Sequence, residues 1–182
     1  MSKLRVLSLF SGIGAFEEAL KNIGKDFELV NYCEFDPTVA KAYSLIHNVD
    51  MSLNLGDVTK VNAKEIEDFD LLTYGFPCQD ISALGNQQGF FDEEGNLTRS
   101  GLFFEAMRLV KEKNPKYLIA ENVRALVSKK MADNFNEMLS ELDKLGYNSY
   151  YQVLNSKDYG IPHSRNRVFI VSIRKDVDTQ EF

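Results

Sequence analysis

Short aliphatic and β-branched runs alternate along the chain with stretches whose apolar residues recur every three or four positions. This is the pattern of a sheet interleaved with helices. Leu4 to Phe10 predicts a buried strand and Ser11 to Gly14 a turn. Ala15, Phe16, Ala19, Leu20 and Ile23 predict a helix face, with Gly24 as its C-cap. Phe27 to Tyr32 predicts a second strand. Asp36-Pro37 then supplies an N-cap and a first-position proline for a helix to about His47. Leu53 to Leu55 predicts a short third strand and Asp70 to Tyr74 a fourth, broken by Gly75-Phe76-Pro77. The polar stretch from Gln79 to Arg99, carrying Gly85, Gly89 and Gly95, predicts a long loop, mobile without substrate. A helix from about Gly101 to Lys113, a strand from Tyr117 to Ala120 and an amphipathic helix from Lys130 to Leu145 follow. Tyr150 to Leu154 and Val168 to Ile173 predict two last strands, joined by a loop of Ser156 to Asn166. The expected fold class is α/β.

Composition narrows this only slightly. The chain has 182 residues, enough for one domain with a proper core. No apolar run approaches the roughly 18 residues of a membrane span. The short apolar stretch near the N-terminus lacks the features of a signal peptide. Cys33 and Cys78 make no disulfide framework, so a cytoplasmic, reducing setting is expected. The net charge of −6 argues weakly against a nucleic-acid binder. Basic residues gather late in the chain, at Arg165, Arg167, Arg174 and Lys175, which leaves room for a local basic face.

Four motifs carry candidate chemistry. Phe10-Ser11-Gly12-Ile13-Gly14-Ala15-Phe16-Glu17 joins the first strand to the first helix, where glycines let backbone approach a ligand. A dinucleotide fingerprint would want a third glycine where Glu17 stands. Glu34, 20 residues after Gly14, ends the second strand, where a carboxylate can accept from ribose hydroxyls. Asp57 follows the third predicted strand, placed for an adenine edge. A plain turn, with Glu34 and Asp57 as helix caps, explains the same residues. Gly75-Phe76-Pro77-Cys78-Gln79 puts a thiol just past a strand, at the carboxyl edge of the sheet, where open α/β sheets hold their active sites. A buried structural cysteine is the competing reading there, and the one given to Cys33. Glu121-Asn122-Val123 sits at the same edge, as an acid or hydrogen-bond partner or else as a helix cap. Pro162-His163-Ser164-Arg165-Asn166-Arg167 places two arginines on one side of an extended segment, one to hold substrate and one to brace a loop, or else as a solvated pair.

Taken together, in this order and spacing, the motifs resemble those of the C5-cytosine DNA methyltransferases over nearly the whole chain. The resemblance implies a Rossmann-like, S-adenosylmethionine-dependent methyltransferase fold over residues 1–182, mostly parallel with a final β-hairpin. It implies S-adenosyl-L-methionine as cofactor, held by Phe10, Ser11, Gly12, Ile13 and Gly14, by Glu34 and Phe35, by Asp57 and Val58 after Gly56, and by Pro77. It implies Cys78 as the nucleophile that adds to cytosine C6, with Glu121 hydrogen-bonding or protonating N3 and Arg165 holding the base. Gln79, Asn122 and Arg167 support the loop and substrate; no metal is implied. Arg99-Ser100-Gly101-Leu102-Phe103-Phe104 resembles the segment after the catalytic loop. The implied partner is double-stranded DNA with a flipped cytosine, since C6 cannot be reached inside the stack. A place in a restriction–modification system goes with it.

Two departures stand out. His163 takes a position where the family usually has glutamine. The chain also stops at Phe182, where family members continue with a DNA-reading domain and a segment that packs back on the cofactor pocket. The isolated chain is therefore expected to bind cofactor weakly and to methylate no defined sequence, with target recognition supplied by a second subunit or a missing C-terminal region. A non-catalytic fragment or one subunit of a split enzyme is the first alternative. A nicotinamide-dependent oxidoreductase is the remote one; it accounts for Gly12, Gly14 and Glu34 but not for the other motifs.

Overall fold

The computed structural model describes residues 3–77, 90, 94, 98 and 100–179. Cys78, Gln79 and almost all of the predicted Gln79–Arg99 loop lie outside the described residues. The elements alternate as expected: β1 (Leu4–Leu9), α1 (Ala15–Asn22), β2 (Phe27–Cys33), α2 (Pro37–His47), β3 (Leu71–Tyr74), α3 (Leu102–Lys113), β4 (Tyr117–Val123), α4 (Ala132–Lys144), β5 (Tyr147–Asn155) and β6 (Asn166–Arg174). One six-stranded sheet has the order β2-β1-β3-β4-β6-β5. Its first four strands run parallel, while β6 lies antiparallel between β4 and β5 and closes the expected hairpin. The chain leaves β1 for one side and returns to β3 on the other, so a crevice opens at the carboxyl ends of β1 and β3.

The central strands are buried on both faces, as their apolar runs require. All four residues of β3 are buried, as are Val6 to Leu9 of β1. Helix starts follow local chemistry: the Asp36 side chain accepts from the Thr38 and Val39 amides at 2.7 and 3.2 Å, capping α2 ahead of Pro37. Under the carboxyl end of β3, Phe76, Phe90 and Phe103 meet with ring centroids 5.7–6.3 Å apart. All three are buried, so the Gly75-Phe76-Pro77 exit rests on a packed aromatic floor.

The structure corrects three of the expected elements. Leu53 to Leu55 is not a strand. Asp50 caps a short 3-10 turn over Met51–Leu53, and only an isolated bridge between Tyr32 and Asn54 pairs with the sheet. β4 continues past Ala120 to Val123, because β6 offers ladder partners for Glu121, Asn122 and Val123 in Phe169, Val168 and Arg167. The helix expected from Lys130 begins at Ala132, after a 3-10 turn over Lys129–Met131.

The late basic residues form no single face. Arg167 and Arg174 stand at opposite ends of β6, roughly 23 Å apart at ~3.3 Å per residue. Arg167 pairs with Glu121, Arg174 with Asp176 and Lys175 with Asp143.

Candidate active site

Four strand ends build the site. After β1 the backbone turns through positive φ at Phe10, Gly12 and Gly14 before entering α1. Ser11 ties this turn to β2: its amide donates to the Cys33 carbonyl (3.1 Å), and its hydroxyl accepts from the Cys33 amide (3.2 Å). The Glu34 carboxylate then spans two amides, accepting from Gly12 at 2.9 Å and from Asp36 at 2.9 Å. Asn54 fixes Glu34 from the other side, donating to its carbonyl (3.1 Å) and accepting from its amide (3.0 Å). Its side-chain oxygen also accepts from Gly56 at 3.1 Å. Asn54 had no place among the expected site residues; a lone polar residue between Leu53 and Leu55 was its only signal.

Beside these residues lies a cavity of about 550 Å³. Phe10, Glu34, Phe35, Asp57, Val58 and Pro77, all expected cofactor residues, line it. Ser11, Gly12, Ile13 and Gly14 do not line it; they form the turn beside it. Leu102, Thr59 and Cys33 line it too, unforeseen from the sequence. The Cys33 thiol donates to the Gly56 carbonyl at 3.1 Å. Burial first, then the charges of Glu34 and Asp57, push that thiol up to about 12, so it is a structural group. Asp57 behaves partly as the cap that the competing reading named. Its carboxylate accepts from the Thr59 hydroxyl (2.7 Å) and amide (3.1 Å), and these bonds hold it below the usual carboxylate range. Arg108 of α3 pins this wall, donating to the carbonyls of Val61 (2.9 Å) and Val58 (3.1 Å).

The lining suits a nucleoside cofactor. A carboxylate offers about four acceptor sites; Glu34 uses one on each oxygen and keeps capacity for a diol. Phe35 is 78% exposed at the mouth, an aromatic face turned to no protein partner ring among the described residues.

A second cavity of about 380 Å³ lies against β4 and β6, lined by Glu121, Arg165 and Arg167 together with Tyr159 and Ile161. Tyr159 and Ile161 were not anticipated, and both are exposed. Arg167 Nε lies 2.8 Å from Glu121 Oε1. Arg167 is thus the arginine that touches Glu121, and Arg165, expected to hold the base, lines the same pocket. The Arg165 side chain stands exposed at the rim, its amide donating to Asn155 Oδ1 at 3.1 Å. Asn122 is 2% exposed and donates to the Phe76 carbonyl at 3.2 Å, tying β4 to the exit of β3. A Cβ at Gly75 would lie 3.7 Å from Glu121 Oε2, so Glu121 flanks the same segment that ends at Pro77. Gly75 thus lies against a lining residue of the second cavity, while Pro77 lines the first.

A mostly parallel sheet closed by an antiparallel hairpin, with its cavity at the carboxyl ends of β1 and β3, has the Rossmann-like methyltransferase fold. The model of the C-5 cytosine-specific DNA methylases matches residues 4–182, and the chain belongs to that family. It is 45% identical over 177 residues to the orphan methyltransferase M.Rho11sI of Bacillus phage rho11s, covering 97% of this chain and 34% of that protein. Over 181 residues it is 45% identical to the orphan methyltransferase M.SPRI of Bacillus phage SPR, covering 100% of this chain and 40% of that one. The crystal structure of a putative DNA modification methyltransferase encoded within an E. coli prophage matches with a TM-score of 0.74 and 25% identity, over 96% of this chain and 48% of that one. The chain thus spans between a third and a half of the length of these proteins. Among the described residues, no helix is long and apolar enough to cross a membrane.

Proposed function

We propose that these residues are the cofactor-binding and catalytic part of a DNA cytosine C5-methyltransferase. The observation that carries the reading is a close approach: Pro77 lines the nucleoside-sized cavity, and Gly75, two residues before it, lies against Glu121 of the pocket that also holds Arg167. Family membership supports the same reading.

S-adenosylmethionine, when bound in the first cavity, supplies an electrophilic methyl group. Glu34 would hold its ribose hydroxyls, and Phe35 and Asp57 its adenine. In the second pocket Glu121 hydrogen-bonds or protonates N3 of a cytosine flipped from duplex DNA. Arg167 holds the Glu121 carboxylate in place and meets the same ring, while Arg165 closes the rim. Cys78, directly after Pro77 in sequence, supplies the thiolate that adds to C6 and makes C5 nucleophilic. We assign target-sequence reading to the part of the phage relatives' length that these residues do not cover.

The test joins the chain to the remaining part of the SPR phage relative. Duplex DNA containing 5-fluorocytosine and S-adenosylmethionine should yield a denaturant-resistant protein–DNA complex, lost in Cys78→Ala. Equal trapping by Cys78→Ala, or none by a folded fusion that binds cofactor, contradicts the reading.

A further inference from the structure

His47, the last residue of α2, belongs to neither cavity, yet it reaches across to the glycine turn. Its Nε2 lies 2.9 Å from the Ile13 carbonyl oxygen, and its Nδ1 lies 3.0 Å from Lys21 Nζ on α1. An ammonium can only donate, so Nδ1 is the acceptor and Nε2 carries the hydrogen given to Ile13. The imidazole is itself held. Its ring packs on Tyr43 with centroids 4.5 Å apart, and Tyr43 stacks on Tyr32 of β2 at 4.1 Å. A continuous stack thus runs from the sheet through α2 to the peptide between Ile13 and Gly14.

Gly14 shows how tightly the ring is fitted. A Cβ there would stand 2.0 Å from His47 Nε2, and Gly14 has φ 83. The position excludes a side chain twice over, by conformation and by the imidazole. On the opposite side of the turn, the Gly12 amide donates to Glu34. The turn is therefore gripped from both flanks, by Glu34 and by His47.

We propose that His47 is a positioning residue for the cofactor, setting the Gly12–Gly14 turn so that Gly12 and Glu34 stay in register at the cavity. This rests on the reading of that cavity as the S-adenosylmethionine site. Ile13 is 60% exposed, so its own side chain does not anchor the Ile13–Gly14 peptide, which the imidazole holds instead.

The test measures equilibrium binding of S-adenosylmethionine to the full chain, with amide exchange at Gly12 and Gly14 as a cofactor-free readout. Circular dichroism fixes a temperature at which every variant is folded. His47→Ala should weaken binding roughly fivefold or more, as expected for a lost hydrogen bond plus an unpaired carbonyl, and should speed exchange in the turn. His47→Gln, whose amide nitrogen reaches about as far as Nε2, should restore both; a purely space-filling role would give no such rescue. Gly14→Ala should cost less in the His47→Ala background than alone, because the collision is gone. Should the unaltered chain bind and Glu34→Ala bind weakly while His47→Ala matches the unaltered chain, the positioning role is overturned and the cavity reading stands. Should the unaltered chain fail to bind S-adenosylmethionine, both fall.

Discussion

Glu34 and Cys33 are neighbours with opposite fates, and burial decides between them. The Cys33 thiol is buried in the cavity wall, bonded to a carbonyl and raised to about 12, so almost none is thiolate near neutral pH. It should resist iodoacetamide in the native protein and react only on unfolding; mass spectrometry of native and urea-treated samples checks this, and rapid native labelling at Cys33 would contradict it. Glu34 keeps part of its carboxylate facing the cavity. Replacing it with alanine should weaken S-adenosylmethionine binding by about 1.5–3 kcal/mol, the scale of hydrogen bonds to a charged group. Titration calorimetry on a variant with native circular dichroism checks it, and unchanged affinity would refute the assignment. Glu34, Asp57 and Glu121 could be picked from sequence because each follows closely on a short apolar run, where an acidic residue has few structural purposes. Asn54 and His47 could not, because Asn54 bonds the Glu34 backbone and His47 bonds the Ile13 carbonyl and Lys21 Nζ, groups distant in sequence and brought close only by the fold.

Among the elements, the sheet edge opposite the site is held by Asp70. Its carboxylate accepts from Lys116 Nζ at 2.9 Å and from the Arg5 amide at 3.2 Å, tying β1 and β4 to the start of β3. The Lys116 bond foremost, with the Arg5 amide assisting, holds Asp70 below its ordinary value of 3.8. A depressed folded value means the contribution is present above the unfolded pKa and is lost as pH falls through the folded one. The stability gap between the native protein and Asp70→Asn should therefore be fully open near about pH 6 and should close below about pH 4. Urea melts across that range measure it, and a gap independent of pH would contradict the account. Phe103 anchors the aromatic floor under Pro77. Phe103→Ala should cost about 3–5 kcal/mol in urea unfolding, as buried phenylalanine truncations do, and a loss below about 1 kcal/mol would mean that the floor is not packed as described. Most elements were readable because apolar period and capping agree within them. Two of the three exceptions are set outside their own apolar pattern: Leu53 to Leu55 by the Asp50 cap just ahead of it, and Glu121 to Val123 by the ladder partners that β6 offers.

At the scale of the molecule, a parallel sheet brings residues distant in sequence to one edge. Phe10, Glu34, Pro77 and Glu121 all follow or end neighbouring strands, and the strand order puts the β1–β3 switch between them. That convergence was legible in the order of the motifs, whereas the division into two cavities was not, since it depends on the Arg167–Glu121 pair and on Asn122 holding the β3 exit. The acidic total, −6, with Arg167, Arg174 and Lys175 each paired to a carboxylate, offers little unaided attraction for phosphates. The chain alone should then methylate no defined sequence in mixed duplex DNA; efficient tritium transfer to one sequence would show that it carries its own reading surface.

Whether the larger cavity takes S-adenosylmethionine is decided by equilibrium dialysis of the chain against the labelled cofactor, with S-adenosylhomocysteine and NAD as competitors. Binding should be saturable, displaced by S-adenosylhomocysteine, untouched by NAD and weakened in Glu34→Ala. Binding of NAD in place of S-adenosylmethionine, or S-adenosylmethionine binding indifferent to Glu34, would contradict that assignment.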